Sequence, residues 1–198
     1  MNVGTLPRHA LLLILVVPTS IVGPAQATTE VAGVRFDERI RLGTGELQLN
    51  GAGVREKFIF KAYAIGLYLA EKKFSAEEAL ALEGPKRLHI VTLRDLSAEQ
   101  FADAMVEGVR KNHSENENEN LHARVEAFKT AILAVKSTAR GSLIVIDWLP
   151  GNGTRLSIDG QQKSGDIAGE DFFRALLKIW VGPKPVQNDL KDALLGNQ

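Results

Sequence analysis

The longest apolar strand pattern in the chain constrains its fold more than any other feature. Residues 58–69 are rich in aromatic and branched side chains, which predicts one long strand with Gly66 at a bulge or a close approach. Directly before it, Gly51-Ala-Gly-Val-Arg55 predicts a glycine-rich bend that places an arginine at the start of the strand. Because arginine keeps its charge, Arg55 needs an anionic partner, either a ligand or an internal carboxylate.

The first residues have the pattern of an export signal. Arg8 precedes an apolar run over residues 10–23, and Ala25-Gln-Ala27 has the small residues of a cleavage site. We therefore expect cleavage near Ala27, a mature domain over residues 28–198 and a periplasmic or secreted protein. A retained membrane anchor is the alternative, but the run is short and contains Pro18. No stable membrane span is expected after cleavage.

The composition argues against several classes of protein. The chain has 24 basic and 24 acidic residues without a basic block, which gives no support for nucleic-acid binding. It has no cysteine, which excludes disulfides, thiolate metal ligands and a cysteine nucleophile. No Gly-x-Ser-x-Gly motif and no phosphate-binding glycine loop occurs. Uniform composition after the signal predicts a single domain and leaves its oligomeric state open.

The remaining hydrophobic patterns predict an α+β protein. Further strands are predicted at residues 31–36, 46–49, 87–93, 142–149 and 154–158. Helices are predicted after the capping-box residues Ser75 and Ser97, and over residues 121–135, 172–180 and 186–195. We therefore expect an antiparallel sheet with helices packed on one face.

The polar tract His113–Asn120 lies between two predicted helices. It is interpreted either as an exposed linker or as an extension of one of those helices. Its glutamates and asparagines could in principle bind calcium, but the tract lacks the residue order of a calcium loop, so a solvated connector is favoured.

Three histidines of the predicted mature domain are candidate ligands: His89, His113 and His122. None has the compact spacing of a zinc site, so no metal site is predicted. His89 lies in a predicted strand and is interpreted as a core or edge residue, whereas the other two flank the polar tract. Each remains a candidate axial ligand for haem.

Alternation along an unbroken strand places Arg55 and Tyr63 on one mixed face. At ~3.3 Å per residue they would lie about 26 Å apart along the strand. We therefore expect them to line two ends of a long groove rather than to hold one small head group.

Several dispersed motifs resemble the chalcone-isomerase family. Gly51-Ala-Gly-Val-Arg55 followed by Tyr63-Ala-Ile-Gly-Leu-Tyr-Leu69 is similar to the start of that fold, and residues 95–101 resemble the beginning of its first long helix. Residues 141–146 resemble its central strand and residues 172–182 its late helix. The motifs keep the family's order over nearly the whole predicted mature chain, which is most similar to the exported bacterial branch named chalcone isomerase-like.

This resemblance implies a ligand site around Arg55. In the plant enzymes the matching arginine holds the substrate and stabilises charge during an intramolecular ring closure. Their assisting helix tyrosine matches Phe101, their late-helix Ser or Thr falls near Phe173, and residues 88–93 contain no lysine. Most of the polar machinery is therefore missing, which favours binding over catalysis.

Four functions follow as hypotheses. The leading one, implied by non-catalytic family members that bind fatty acids, is a binder of a small apolar anionic ligand such as a fatty acid, with Arg55, Tyr63, Phe101 and Phe173 as its contacts. Haem-binding members imply haem as a possible cofactor. The third is an intramolecular lyase or isomerase that uses Arg55 as its catalytic residue. The last is a scaffold for another envelope component.

Overall fold

The structure, a computed structural model, describes Met1, residues 27–135 and residues 137–197. The predicted export signal therefore falls almost entirely outside the described residues. Within the described part, no helix is both long and apolar enough to cross a membrane. The strands are β1 (Thr28–Val31), β2 (Val34–Asp37), β3 (Arg39–Leu42), β4 (Gly45–Lys57), β5 (Phe60–Leu69), β6 (Lys86–Thr92), β7 (Leu96–Ser97), β8 (Ser137–Thr138), β9 (Leu143–Leu149), β10 (Gly153–Ile158) and β11 (Gln161–Gln162). The helices are α1 (Ala76–Ala81), α2 (Ala98–Lys111), α3 (Glu115–Leu133), α4 (Glu170–Val181) and α5 (Asn188–Leu194).

Seven strands form an antiparallel sheet in the order β11-β10-β9-β6-β5-β4-β3, which confirms the predicted α+β class. Alternate residues such as Ile65, Leu67 and Ile146 face the helices and are fully or almost fully buried against them. The opposite face carries a smaller apolar cluster around Phe36 and Tyr68. Helices therefore cover one face of the sheet, as expected.

The predicted bend and strand over residues 51–69 are wrong in their boundaries, because this segment is a hairpin. The Gly51–Arg55 motif lies inside the long strand β4, and β5 returns antiparallel to it after the two-residue turn Phe58–Ile59. Gly51 and Gly53 are needed because α5 packs directly on this strand. A methyl group on Gly51 would overlap the backbone oxygen of Ala193.

Two smaller corrections concern the separate β1–β2 sheet and the β4–β5 ladder. The strand predicted at residues 31–36 is a hairpin of β1 and β2, with Ala32 and Gly33 at positive φ in its turn. Gly66 is a close approach and not a bulge, because a Cβ there would lie 2.8 Å from the Phe36 ring. The register shifts of the β4–β5 ladder occur elsewhere, at Asn50 in β4 and at Ala62 in β5.

Local capping explains where α1, α2 and α3 begin. The side chains of Ser75 and Ser97 each accept a hydrogen bond from the backbone three residues later, as their sequence spacing predicts. Ser114 and Glu117 form a reciprocal capping box, so most of the polar tract is the first part of α3. The helix-extension interpretation is therefore confirmed. Among the described residues, no group of three or more histidine and acidic side chains could hold a metal ion.

Candidate functional site

A small cavity lies between the β4–β5 hairpin, α2 and the C-terminal end of α4. Its volume is about 150 Å³. The polar side chains in its wall are Arg55, Lys57, Tyr63 and Gln100. The rest of the wall is apolar and comprises Ala62, Leu96, Phe101, Ala104, Met105, Ile179, Trp180 and Val186. A space of this kind suits a mainly apolar molecule that carries one polar group.

Arg55 and Tyr63 lie directly opposite each other in the β4–β5 ladder. The shared face was predicted correctly, but the separation of about 26 Å is wrong because the chain turns back between them. Opposite residues of antiparallel strands have Cβ atoms about 5 Å apart. The two side chains can therefore act on one head group.

The Arg55 guanidinium has no acidic partner among the residues that the structure describes. Its Nη1 donates to the backbone oxygen of Glu56 and, at 3.3 Å, to the Oε1 atom of Gln187. The same Gln187 oxygen accepts from the Glu56 backbone N–H at 2.9 Å. Since both partners are neutral, the internal-carboxylate alternative is wrong. The charge of Arg55 is available to an anion, and Lys57 adds a second positive charge to the cavity wall.

Tyr63 is a proton donor held in place by the late helix. The indole Nε1 of Trp180 donates to the Tyr63 hydroxyl oxygen at 2.9 Å, which leaves the phenolic hydrogen for another acceptor. Burial raises the pKa of Tyr63 to about 12, although the hydrogen bond from Trp180 and the charge of Arg55 oppose this shift. The hydroxyl is therefore protonated at neutral pH and can donate to a bound ligand.

The structure brings together three of the four predicted contacts. Phe101 lies in the cavity wall with Arg55 and Tyr63, whereas Phe173 is fully buried beside Trp148, with 6.5 Å between the ring centroids. Phe173 is not among the lining residues. Conversely, Trp180 and Met105 line the cavity although the sequence identified them only as apolar helix positions.

None of the three candidate histidines is among the residues that line this cavity. His89 lies on the opposite face of the sheet, edge-on to Phe36 and beside Tyr68. His113 is held by the Val109 carbonyl at 2.8 Å and by Lys178 Nζ at 3.3 Å, in a separate open groove whose wall includes charged side chains. His122 is exposed on α3. The geometry therefore gives haem ligation no support.

The chain is an α+β protein with a curled antiparallel sheet that helices cover on one face. A small cavity lies beside an arginine of the β4–β5 hairpin. The chain belongs to the chalcone isomerase-like family, whose model matches residues 28–196. Its fold is similar to the crystal structure of a fatty-acid binding protein from Arabidopsis thaliana, with a TM-score of 0.62 and 18% sequence identity over 83% of this chain and 93% of that chain. No curated protein matches the chain. Its place in an exported bacterial branch stays a prediction.

Proposed function

We propose that this protein binds a small apolar ligand with an anionic head group, such as a fatty acid, and does not transform it. The observation that carries the proposal is the Arg55 guanidinium in the wall of a mainly apolar cavity, where no described residue supplies a carboxylate partner. Tyr63 supplies a hydroxyl donor directly across the ladder from it. The structural neighbour from Arabidopsis thaliana is a fatty-acid binding protein, which supports the same ligand class.

Absence of a hydroxyl from the neighbouring helix supports binding rather than catalysis. The residue that matches the assisting tyrosine of the plant enzymes is Phe101, and it lines the cavity with an apolar ring. A ring closure of the plant type would need a proton donor at that position. Phe101 instead adds apolar surface to the cavity wall at that position.

The size of the cavity suggests how a ligand would fit. A dry cavity of roughly 150 Å³ holds about one benzene-sized group. Medium and long acyl chains would therefore extend through the mouth of the cavity. Each buried methylene contributes about 0.8 kcal/mol, whereas a charge-assisted hydrogen bond contributes about 1.5–3 kcal/mol. The tail would set the overall affinity, and Arg55 would set the preference for an acid.

Replacing Arg55 with Gln tests the proposal. Wild-type protein is expected to bind decanoate about 10–100-fold more tightly than decanol, which is the range that one charge-assisted hydrogen bond supplies. In Arg55→Gln this preference should be lost while the decanol affinity is retained. Calorimetry measures both constants, and the fluorescence of Trp180 reports occupancy because its indole lines the cavity.

Arg39→Gln is the matched control, because this arginine is exposed on the edge strand β3 and pairs with Glu46. It should bind both ligands as wild type does. Equal affinity of the wild-type protein for acid and alcohol would refute the head-group role of Arg55. If neither ligand binds, and protein purified from cells carries no small molecule by native mass spectrometry, the proposed function is wrong.

We further propose that the protein is exported and cleaved after Ala27. The family match begins at residue 28, directly after the small-residue motif, which supports this boundary. Fractionation of expressing cells should recover the protein outside the cytoplasm with Thr28 as its first residue by mass spectrometry. A cytoplasmic protein that retains residues 1–27 would contradict the proposal.

A further inference from the structure

The tip of the β4–β5 hairpin exposes large apolar side chains to solvent. Phe58 and Ile59 form the two-residue turn and are 89% and 88% exposed, and Phe60 beside them is 54% exposed. Such contiguous exposure is uncommon on a soluble surface and usually marks an interaction site. None of these three side chains belongs to the apolar core.

The first turn residue, Phe58, is also of an unusual type for the conformation that it adopts. Phe58 has a φ of 56°, the sign that the first turn position of a tight hairpin requires. Glycine, asparagine and aspartate adopt this conformation readily, whereas a bulky side chain is strained in it. Strain of this kind is retained mainly where a function requires the side chain.

Basic residues surround the apolar tip. Lys57 and Lys61 flank it on the two strands, and the guanidinium of Arg94 lies 4.9 Å from the centre of the Phe60 ring. Glu56, opposite Lys61, is the acidic residue of the same hairpin end. The tip is therefore an apolar wedge with a net positive rim.

We propose that this hairpin tip docks on an anionic lipid surface, with Phe58 and Ile59 inserted and Lys57, Lys61 and Arg94 at the head groups. Amphipathic elements bind membranes through this combination of buried apolar side chains and basic charge. A second copy of the chain fits less well, because a symmetric contact would place the same basic rim against itself. A stable protein interface also needs about 800 Å² per partner, whereas three side chains of at most about 250 Å² each, with Phe60 only 54% exposed, offer less than this.

Docking would bring the cavity to the lipid surface. Lys57, Ala62 and Leu96 line both the cavity and the shallow groove beneath Phe58 and Phe60. An acyl chain could then pass between bilayer and cavity along apolar side chains. This consequence rests on the proposed function, whereas the docking itself does not.

Sedimentation with vesicles tests the docking. Purified protein should bind vesicles that contain phosphatidylglycerol and should bind pure phosphatidylcholine more weakly, with an affinity that falls as salt rises. Phe58→Gly combined with Ile59→Asn should weaken this binding at least tenfold. The double variant should be no less stable than wild type, because Gly-Asn suits the turn. Loss of binding therefore cannot be attributed to misfolding.

Three further variants test the apolar and basic contributions. Phe74→Ser is the matched control, because Phe74 is 58% exposed beyond the opposite end of β5, and its vesicle binding should equal that of wild type. Lys57→Gln with Lys61→Gln should weaken binding to anionic vesicles about fivefold for each lysine removed. In Ile59→Trp, the emission of the introduced tryptophan should shift to the blue when vesicles are added. All variants keep the same N-terminal segment, so differences between them report the tip.

Three outcomes would overturn the proposal. These are no binding of wild-type protein to anionic vesicles, equal binding by the Phe58→Gly/Ile59→Asn variant, and a concentration-dependent dimer that this variant abolishes. The vesicle assay contains no ligand and the ligand assay contains no vesicles. Failure of docking can therefore be distinguished from failure of the proposed function.

Discussion

Replacing Gly51 with alanine is expected to lower the free energy of unfolding by about 3 kcal/mol, the upper end for an overpacked core position. The added methyl group would overlap the backbone oxygen of Ala193 and meet Leu194 as well. Backbone cannot move aside as a flexible side chain can, so α5 must shift from β4. Urea denaturation measures the loss, and the melting temperature should fall by about 6–12 °C.

The same change should also weaken ligand binding. Gln187 occupies the N-cap position of α5, and its side chain accepts hydrogen bonds from Arg55 and from the Glu56 backbone. A displaced α5 therefore releases Arg55 from its oriented position. Gly165→Ala is the matched control, because a Cβ at Gly165 meets nothing within 4 Å, and it should leave stability and binding unchanged. Wild-type stability in Gly51→Ala would show that α5 does not depend on this close contact.

The starts of α1 and α2 could be predicted because their signals are local. Ser75 and Ser97 each form a hydrogen bond within their own first turn, so four consecutive residues contain the whole signal. The β4–β5 turn could not be predicted in this way. Phe58 and Ile59 have no turn-forming preference, and the apolar pattern continues through them without a break. Because no sequence signal marks this two-residue turn, Arg55 and Tyr63 were predicted to lie far apart, although they are opposite each other in the ladder.

The candidate site could be predicted only in part, because hydrophobic patterns are local as well. A stripe of apolar residues on a helix predicts which face is buried, but not where along that face the neighbouring elements leave a gap. Phe173 and Trp180 lie seven residues apart on α4, about two turns, and only Trp180 reaches the cavity. The choice between them depends on where the hairpin and α2 meet α4, which no local pattern contains.

Replacing Glu170 with alanine is expected to lower the free energy of unfolding by about 3 kcal/mol, because it would leave a buried charge without its partner. The Lys86 side chain is 0% exposed and its Nζ lies 2.8 Å from Glu170 Oε1. Burial already lowers the pKa of Lys86, and the hydrogen bond to Glu170 opposes that effect. Chemical denaturation at neutral pH measures the loss. Ligand affinity of the folded protein should be unchanged, since the cavity lies at the other end of α4.

The pH dependence of this variant separates a stranded charge from a simple loss of packing. Without Glu170 the pKa of Lys86 in the folded state falls further below its usual 10.5, so between that lowered pKa and 10.5 the unfolded state binds more protons than the folded state. The stability of Glu170→Ala should therefore rise towards wild type as the pH is raised to that value. Lys86→Met is the matched control, because it removes the buried charge itself, and it should change stability by less than about 1 kcal/mol. If both variants lose the same stability at every pH, the ion pair contributes through packing, and the charge argument fails.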